Sequence, residues 1–260
     1  ARTLNALSPW GEGWKAVRST IYFDYTKHGD GDDVEPLPDN LAALEKELEP
    51  IALIPTIKTY VLSTNHDYWA LDADFDHEDS DKYTAAGKRL EAKALQLGQD
   101  FALSNHVLEE LGADLFSIGG RPYRVVFGRG LARGAHDLCI GWQRLVEQIE
   151  KQPDANKDFA VIGGFIEEVD SIDPSLAQKF LDQCAQHPEL RQVLVGLHPW
   201  GKFTVNDLDR CMKHLDDPDI CPFMYESILW RDQYANLPRV RILDLAKCLL
   251  NKVSGDDVIL

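Results

Sequence analysis

The chain has 260 residues, of which 44% are hydrophobic and 27% charged, and its formal net charge is −16. This composition is typical of a globular protein that can bury a sizeable core. The negative charge disfavours a general attraction to nucleic acid or anionic membranes, and no apolar run approaches the roughly 20 residues that span a bilayer. We therefore expect neither a nucleic-acid-binding protein nor a membrane protein.

The N-terminal segment and the cysteines indicate a cytoplasmic protein. The first 30 residues mix Trp, Asp and Lys and do not resemble a signal peptide. The five cysteines are an odd, widely spaced set, which favours a reducing compartment. Because the chain begins at Ala1 and the segment 256–260 reads like the start of another helix, we expect it to be part of a longer protein.

The first half of the chain predicts a series of amphipathic helices. Ser8 and Pro9 mark the start of one, whose apolar face continues to Ile21. Further helices with proline or glycine ends are predicted over about 41–48 before Pro50, 51–63, 82–97 before Gly98, and 101–111 before Gly112. The segment Tyr123–Phe127 is the best strand candidate because it is β-branched and aromatic, although a helix could also run through it.

The second half of the chain predicts helix after helix with short loops. A helix covers about 142–149, and from Phe159 onward three starts have a clear mechanism: Asp173 before Pro174, Thr204 with Asp207, and Pro238. Three of these helices repeat a leucine and a cysteine three residues apart: Leu181 and Cys184, Leu208 and Cys211, Leu245 and Cys248. We expect these three cysteines to be small core residues.

The repeated leucine–cysteine phrases predict the architecture. Their intervals of 27 and 37 residues lie in the range of helical repeat proteins. We therefore expect an all-α fold of stacked helix pairs, a degenerate α-solenoid of the HEAT or TPR kind with little or no sheet. An irregular all-α domain is the alternative. The expected organisation is an N-terminal helical subdomain (1–115), an Arg/Gly-rich connector with a helix (116–157) and a helical repeat region (158–260).

The acidic segment 72–81 resembles a calcium-binding loop only in part. Asp72, Asp74 and Asp76 alternate as calcium ligands do. The helix–loop–helix calcium motif also requires a glycine and a glutamate, and His77 and Tyr83 stand at those positions. We interpret the segment as a solvated acidic loop, with weak cation binding left open.

A glycine- and arginine-rich stretch provides the best candidate binding surface. From Leu115 to His136 there is no acid, and there are four arginines: Arg121, Arg124, Arg129 and Arg133. Gly128 and Gly130 follow the strand-like run, so a phosphate or nucleotide could bind there. That hypothesis predicts a parallel sheet. The favoured interpretation is that the arginines pair with carboxylates and the glycines allow close helix packing.

A second candidate site combines histidine and aspartate. His106, the adjacent His136 and Asp137, and Asp173 imitate the series that HD-type metal-dependent phosphohydrolases place around a metal. This hypothesis predicts that His106, His136 and Asp137 converge. The cysteines do not have the spacing of a zinc site. The leading interpretation therefore contains no metal, cofactor or catalytic residue.

Three segments resemble a known class of proteins: KTYVLSTNHDYWALDADFD (58–76), FGRGLARGAHD (127–137) and IGGFIEEVDSIDPSLAQKFLD (162–182). They are similar to helical, repeat-rich regions of large bacterial multidomain proteins, which often carry an ATP-binding module and several of which act in anti-phage defence. The resemblance implies a helical sensor or scaffold arm, with any nucleotide chemistry outside residues 1–260. It assigns no functional residues.

Together these patterns predict a non-catalytic helical module that binds a protein partner or other domains of its parent protein. An acidic face would favour a basic partner, while the arginine stretch could dock an acidic segment. The metal-dependent phosphohydrolase and the phosphate- or nucleotide-binding site remain alternatives.

Overall fold

The structure is a computed structural model that describes residues 1–3, 11–26, 36–63, 68–72, 74–76, 78–104, 108–117, 121–151, 157–198, 203–217, 225, 228 and 237–255. Every regular element among these residues is helical, and none is a strand. The expected all-α fold is confirmed. The stacked-repeat arrangement stays a prediction.

The chain divides into two compact units, Ala1–Val161 and Ile162–Leu260. The three-part organisation expected from the sequence stays a prediction. No helix in the described ranges combines the length and apolarity that crossing a bilayer requires.

Unit 1 contains seven described α-helices with two π-helical segments and two short 3-10 turns between them. The α-helices are α1 (Glu12–Thr20), α2 (Asp39–Leu48), α3 (Leu53–Ile57), α4 (Tyr68–Leu71), α5 (Ser80–Leu103), α6 (Arg121–Gly134) and α7 (Leu138–Glu150). The π segments are Ile21–Thr26 and Lys58–Leu62, which continue α1 and α3, and the 3-10 turns are Leu108–Glu110 and Gly112–Phe116. The predicted start at Ser8 and Pro9 lies outside the described residues.

Helices α5 and α6 pack unusually closely in unit 1 because glycines face each other. A Cβ on Gly98 would overlap the carbonyl oxygen of Phe127 and lie 2.9 Å from the Cα of Gly130. A Cβ on Gly134 would lie 2.6 Å from the carbonyl oxygen of Gln99. The predicted end of α5 at Gly98 is therefore wrong. This glycine provides room for α6, whereas Gly112, with φ of 51°, does occupy a turn.

The strand candidate at 123–127 is part of α6, so the helical alternative is confirmed. Tyr123 and Phe127 are 5% and 0% exposed, and Val125 between them is half-buried. Burial at a spacing of four residues follows the period of a helix, whereas a strand would bury alternate residues. The run therefore contributes one helical face to the core.

Unit 2 contains most of α8 (Ala160–Ile172), followed by α9 (Pro174–Gln186), α10 (Leu194–Leu197), α11 (Val205–Met212) and α12 (Arg239–Gly255), with a 3-10 turn at Leu190–Val193. The predicted starts are observed: Asp173 accepts a hydrogen bond from the backbone N–H of Leu176, and Thr204 and Asp207 form a capping box. Its core is aliphatic and aromatic, and it includes Phe165, Ile166, Phe180, Leu181, Leu208 and Leu245.

The leucine–cysteine phrases behave as expected in two of the three helices. Cys184 and Cys211 are both 0% exposed, in agreement with the predicted core role. The expectation is wrong for Cys248, which is exposed although Leu245 is fully buried. A residue three positions along a helix is rotated by about 60° from its partner. Among the described residues, α12 buries its Leu245 side, and the rotated cysteine is exposed.

Candidate functional site

Arg124 of the arginine stretch is a buried structural residue. Its side chain is 0% exposed. Nη2 donates to the carbonyl oxygen of Leu62 at 2.7 Å and to Oγ of Ser117 at 3.1 Å, and Nη1 donates to the carbonyl oxygen of Leu115 at 3.1 Å. Burial lowers the pKa of this guanidinium, with Asp158 among the carboxylates that oppose the shift. Arg124 therefore joins the end of the Lys58–Leu62 π segment to the end of the Gly112–Phe116 turn, and it does not belong to an exposed recognition surface.

The other arginines of the stretch do not share the position of Arg124. At about 100° per residue, Arg129 and Arg133 lie together on the face of α6 roughly opposite Arg124. Arg133 is exposed and Arg129 is half-buried. The side chain of Arg121 lies outside the described atoms. A role for Arg121, Arg129 and Arg133 in binding stays a prediction.

The glycines of the same stretch lie inside a helix. Gly128 and Gly130 are interior residues of α6, and Gly130 contacts α5. A nucleotide-binding turn would require these glycines to precede a helix at the end of a strand. In the described residues, no strand precedes these glycines, and they lie within a helix instead of before one. The nucleotide hypothesis therefore loses its structural premise at this position. The close-packing role predicted for the glycines is observed at Gly130.

The structure uses the His–Asp residues mainly for helix capping. Asp137 is the N-cap of α7, and its Oδ1 accepts hydrogen bonds from the N–H groups of Cys139 and Ile140 at 2.8 and 3.1 Å. Its neighbour His136 is exposed. Asp173 caps α9 in unit 2, and His106 lies outside the described residues.

Clusters of three or more side chains that could hold a metal are absent from the described part of the chain. The acidic segment 72–81 uses its carboxylates locally instead. Asp72 is 8% exposed and accepts two hydrogen bonds from Arg89, at 2.7 and 2.8 Å, which lower its pKa. Asp76 pairs with Lys82 at 3.3 Å, and Asp79 caps α5. The acidic segment is therefore held against α5 by the basic side chains of that helix.

The two core thiols are unsuited to nucleophilic chemistry. Cys184 and Cys211 are fully buried, and burial raises the pKa of both thiols well above the usual range. The thiolate is the reactive form of cysteine. Both groups therefore stay protonated and contribute to packing.

Unit 2 contains a partly buried polar network that the sequence did not predict. We call the side chains of Gln178, Asp182, His198, Thr204, Asp207 and Arg210 the His198 network. Arg210 is its centre: Nη1 donates to Oδ1 of Asp207 at 2.7 Å, Nε to Oδ1 of Asp182 at 2.8 Å, and Nη2 to Oε1 of Gln178 at 2.7 Å. One guanidinium thus links α9 to α11.

The buried histidine of this network is neutral. Nδ1 of His198 lies 2.8 Å from the carbonyl oxygen of Leu194, which can only accept, so Nδ1 carries the proton. Nε2 then offers its lone pair to Nη1 of Arg210 at 3.3 Å. Burial lowers the pKa of His198 to about 4, despite the nearby carboxylate of Asp207.

We expect unit 2 to lose stability between pH 6.5 and about pH 4, because the unfolded chain then binds a proton that folded His198 does not. The folded pKa lies below the ordinary value of 6.5, so the full contribution is present above pH 6.5 and is lost as the pH falls towards 4. The slope is at most about 1.4 kcal/mol per pH unit. Urea unfolding at a series of pH values measures it.

The matched variants are His198→Gln, which removes the titrating group, and His136→Gln, which removes an exposed histidine. The difference in unfolding free energy between wild type and His198→Gln should change across this window, and His136→Gln controls for the loss of a histidine as such. Identical pH profiles for wild type and His198→Gln would show that His198 does not bind its proton differently in the folded state.

Helix α12 is anchored in unit 2 by one face. Arg241 forms an ion pair with Asp209 of α11, Leu245 is 0% exposed, and Nζ of Lys252 donates to the carbonyl oxygen of Asp217 at 2.7 Å. These three α12 residues lie within about 40° of one another around the helix. They define its inner face.

The opposite face of α12 is mainly apolar and exposed. Val240, Leu243 and Leu250 are 66%, 58% and 68% exposed, and Lys247 lies between them in an exposed position. With a spacing of three, four and three residues, the four side chains lie within about 80° of one another, opposite the inner face. We call these four residues the α12 outer face. Sequence reasoning missed it, although the 3-4-3 spacing beside the inner stripe was a readable signal.

Comparisons of the chain with protein-family models, with curated proteins and with solved structures find no match. Its function therefore has to be inferred from its own residues and their geometry.

Proposed function

We propose that the chain is a non-catalytic helical module that binds a protein partner through the α12 outer face. The observation that carries the proposal is a row of three exposed apolar side chains, Val240, Leu243 and Leu250, on the face of α12 opposite the buried Leu245. Covering such a row with a partner removes apolar surface from water, which favours association. These three side chains are exposed in the described part of unit 2, so the outer face is suited to a partner.

The size of the outer face supports this role. Burying one Val or Leu side chain contributes about 1.5 to 3 kcal/mol relative to leaving it exposed. Three such residues on one helical face supply the apolar centre that helix-in-groove and helix–helix recognition require. Single exposed apolar residues are ordinary, whereas a row of them on one helix marks an interaction surface.

The alternative functions receive less support from the geometry. The carboxylate of Asp137 is used for capping, and its partner His136 is exposed rather than enclosed by a pocket. Gly128 and Gly130 lie within α6, and Arg124 donates to carbonyl oxygens of its own unit. The resemblance to helical regions of large bacterial proteins agrees with a scaffold or sensor arm whose partner is another domain or protein.

The variant Leu243→Asp should abolish capture of the partner by the immobilised chain, because it places a charge at the centre of the apolar outer face. We expect at least a tenfold loss of affinity, or about 1.4 kcal/mol. Quantitative capture from the lysate of the organism that encodes the chain, at a series of bait concentrations, measures the change. The melting temperature should stay nearly constant, since exposed substitutions usually change stability by less than about 0.5 kcal/mol.

The matched control is Ile51→Asp, which introduces the same charge at an apolar residue of unit 1 that is 88% exposed. This control should leave capture unchanged. Equal capture by wild type, Leu243→Asp and Ile51→Asp would contradict the proposed function.

A further inference from the structure

The geometry points to an acidic amphipathic helix as the occupant of the α12 outer face. This inference rests on the proposed function, and it specifies the chemistry of the partner. The occupant would place apolar side chains against Val240, Leu243 and Leu250, with carboxylates beside Lys247.

The charge of α12 is the reverse of that of the whole chain. The chain carries a net charge of −16, whereas α12 contains four basic residues, Arg239, Arg241, Lys247 and Lys252, and one acid, Asp244. Two of these four basic residues lie on the inner face, where Arg241 pairs with Asp209 and Lys252 donates to backbone carbonyls. Arg239 and Lys247 are exposed. The outer face therefore presents apolar residues with a positive border.

The position of Lys247 favours a partner with a negative charge. Lys247 occupies a position in the 3-4-3 series where a helix–helix contact normally has an apolar residue. Polar residues at such positions select particular partners. A carboxylate on the facing helix would pair with this ammonium at the edge of the apolar contact. Complementary charges at such an edge determine specificity and association rate more than affinity.

The same charges disfavour a second copy of the chain as the occupant. Two α12 helices in contact would bring together two copies each of Lys247 and Arg239, with Asp244 as the single acid per helix. Like charges across an interface oppose association. A basic amphipathic helix is disfavoured for the same reason. An acidic amphipathic helix complements both the apolar row and the positive charges beside it.

The test uses two synthetic amphipathic helices as probes. Both carry leucines in the 3-4-3 spacing of the outer face, one with glutamate and the other with lysine at every flanking position. Fluorescence anisotropy at two salt concentrations measures their binding to the complete chain, to Lys247→Glu, and to the control Lys88→Glu, which makes the same charge change at an exposed residue of α5. Leu243→Ala, which leaves the charge of the face unchanged, reports on the apolar contact alone.

We expect the glutamate probe to bind at least about tenfold more tightly than the lysine probe, with weaker binding at high salt. Lys247→Glu should remove most of this preference, and Lys88→Glu should leave it unchanged. Equal binding of the two probes, tighter binding of the lysine probe, or an unchanged preference in Lys247→Glu would overturn the inference. A salt-resistant dimer that excludes both probes would assign the face to a second copy and also overturn it.

The outcomes separate this inference from the proposed function. Loss of partner capture in Leu243→Asp with full retention in Lys247→Glu would keep the outer face as a binding surface and reject the acidic helix. Retention of capture in both variants would reject both.

Discussion

Replacing Gly130 by valine is expected to destabilise the chain by at least about 3 kcal/mol, because α5 and α6 leave no room for a side chain at their contact. A Cβ at this position would overlap the carbonyl oxygen of Leu95 and lie 2.9 Å from the Cα of Gly98. The obstructing atoms belong to the backbone, so the helices themselves would have to separate. Urea unfolding followed by far-ultraviolet circular dichroism measures the loss.

The matched control is Gly87→Ala on α5, where no atom lies within 4 Å of the added Cβ. That substitution should stabilise the chain by about 0.5 to 1 kcal/mol, because alanine loses less conformational entropy than glycine in a helix. If Gly130→Val unfolded at the same urea concentration as wild type, the close approach of α5 and α6 would be wrong.

Replacing Asp207 by alanine is expected to cost about 3 to 5 kcal/mol, because it leaves the buried end of Arg210 without its carboxylate. Asp207 is 1% exposed and accepts from Nη1 of Arg210 at 2.7 Å and from Oγ1 of Thr204 at 2.6 Å. Burial acts to raise the pKa of Asp207, but the adjacent His198 and the hydrogen bonds from Thr204 and Arg210 hold it below the ordinary value. The carboxylate is therefore charged when the unit is folded.

The control for this prediction removes the other carboxylate on the same guanidinium. Asp182 accepts from Nε of Arg210 at 2.8 Å, and its side chain is 61% exposed. Asp182→Ala should cost less than about 1 kcal/mol, since exposed ion pairs contribute little. Equal losses for the two variants in urea unfolding would contradict the buried role of Asp207.

The sequence was most informative where a local rule determines structure. The all-α class follows from apolar residues at helical spacing, and the starts at Asp173 and Thr204 follow from capping chemistry. The burial of Cys184 and Cys211 agrees with their place in apolar stripes, although Cys248 has the same pattern and is exposed. Each of these features depends on residues within one or two helical turns.

The remaining features depend on contacts between distant segments. Gly98 has the appearance of a helix end in the sequence, but the Cα of Gly130, 32 positions later, makes it a packing position. Arg124 has the appearance of a surface residue, but the carbonyl oxygens of Leu62 and Leu115 make it a buried one. No local pattern distinguishes these outcomes, because glycine suits both a helix end and a close helix contact, and arginine suits both a surface and a hydrogen-bonded interior position.

The candidate binding surface on α12 also depends on contacts between distant segments. The phrase of Leu245 and Cys248 predicted one buried apolar stripe on this helix, and Leu245 is indeed fully buried. The exposed row of Val240, Leu243 and Leu250 becomes distinct only when the inner face is fixed by α11. Whether a helical face is exposed depends on which other segments pack against it, and only the tertiary structure shows that.

The most direct test of the proposed binding module is photo-crosslinking from position 243. A photoreactive amino acid placed there, and separately at position 51 of unit 1, would be activated in the lysate of the organism that encodes the chain. We predict a discrete protein adduct from position 243 and none from position 51, with the crosslinked peptide mapping to an acidic amphipathic segment. No protein adduct from position 243, with the chain folded, would contradict the assignment of the α12 outer face as a docking surface.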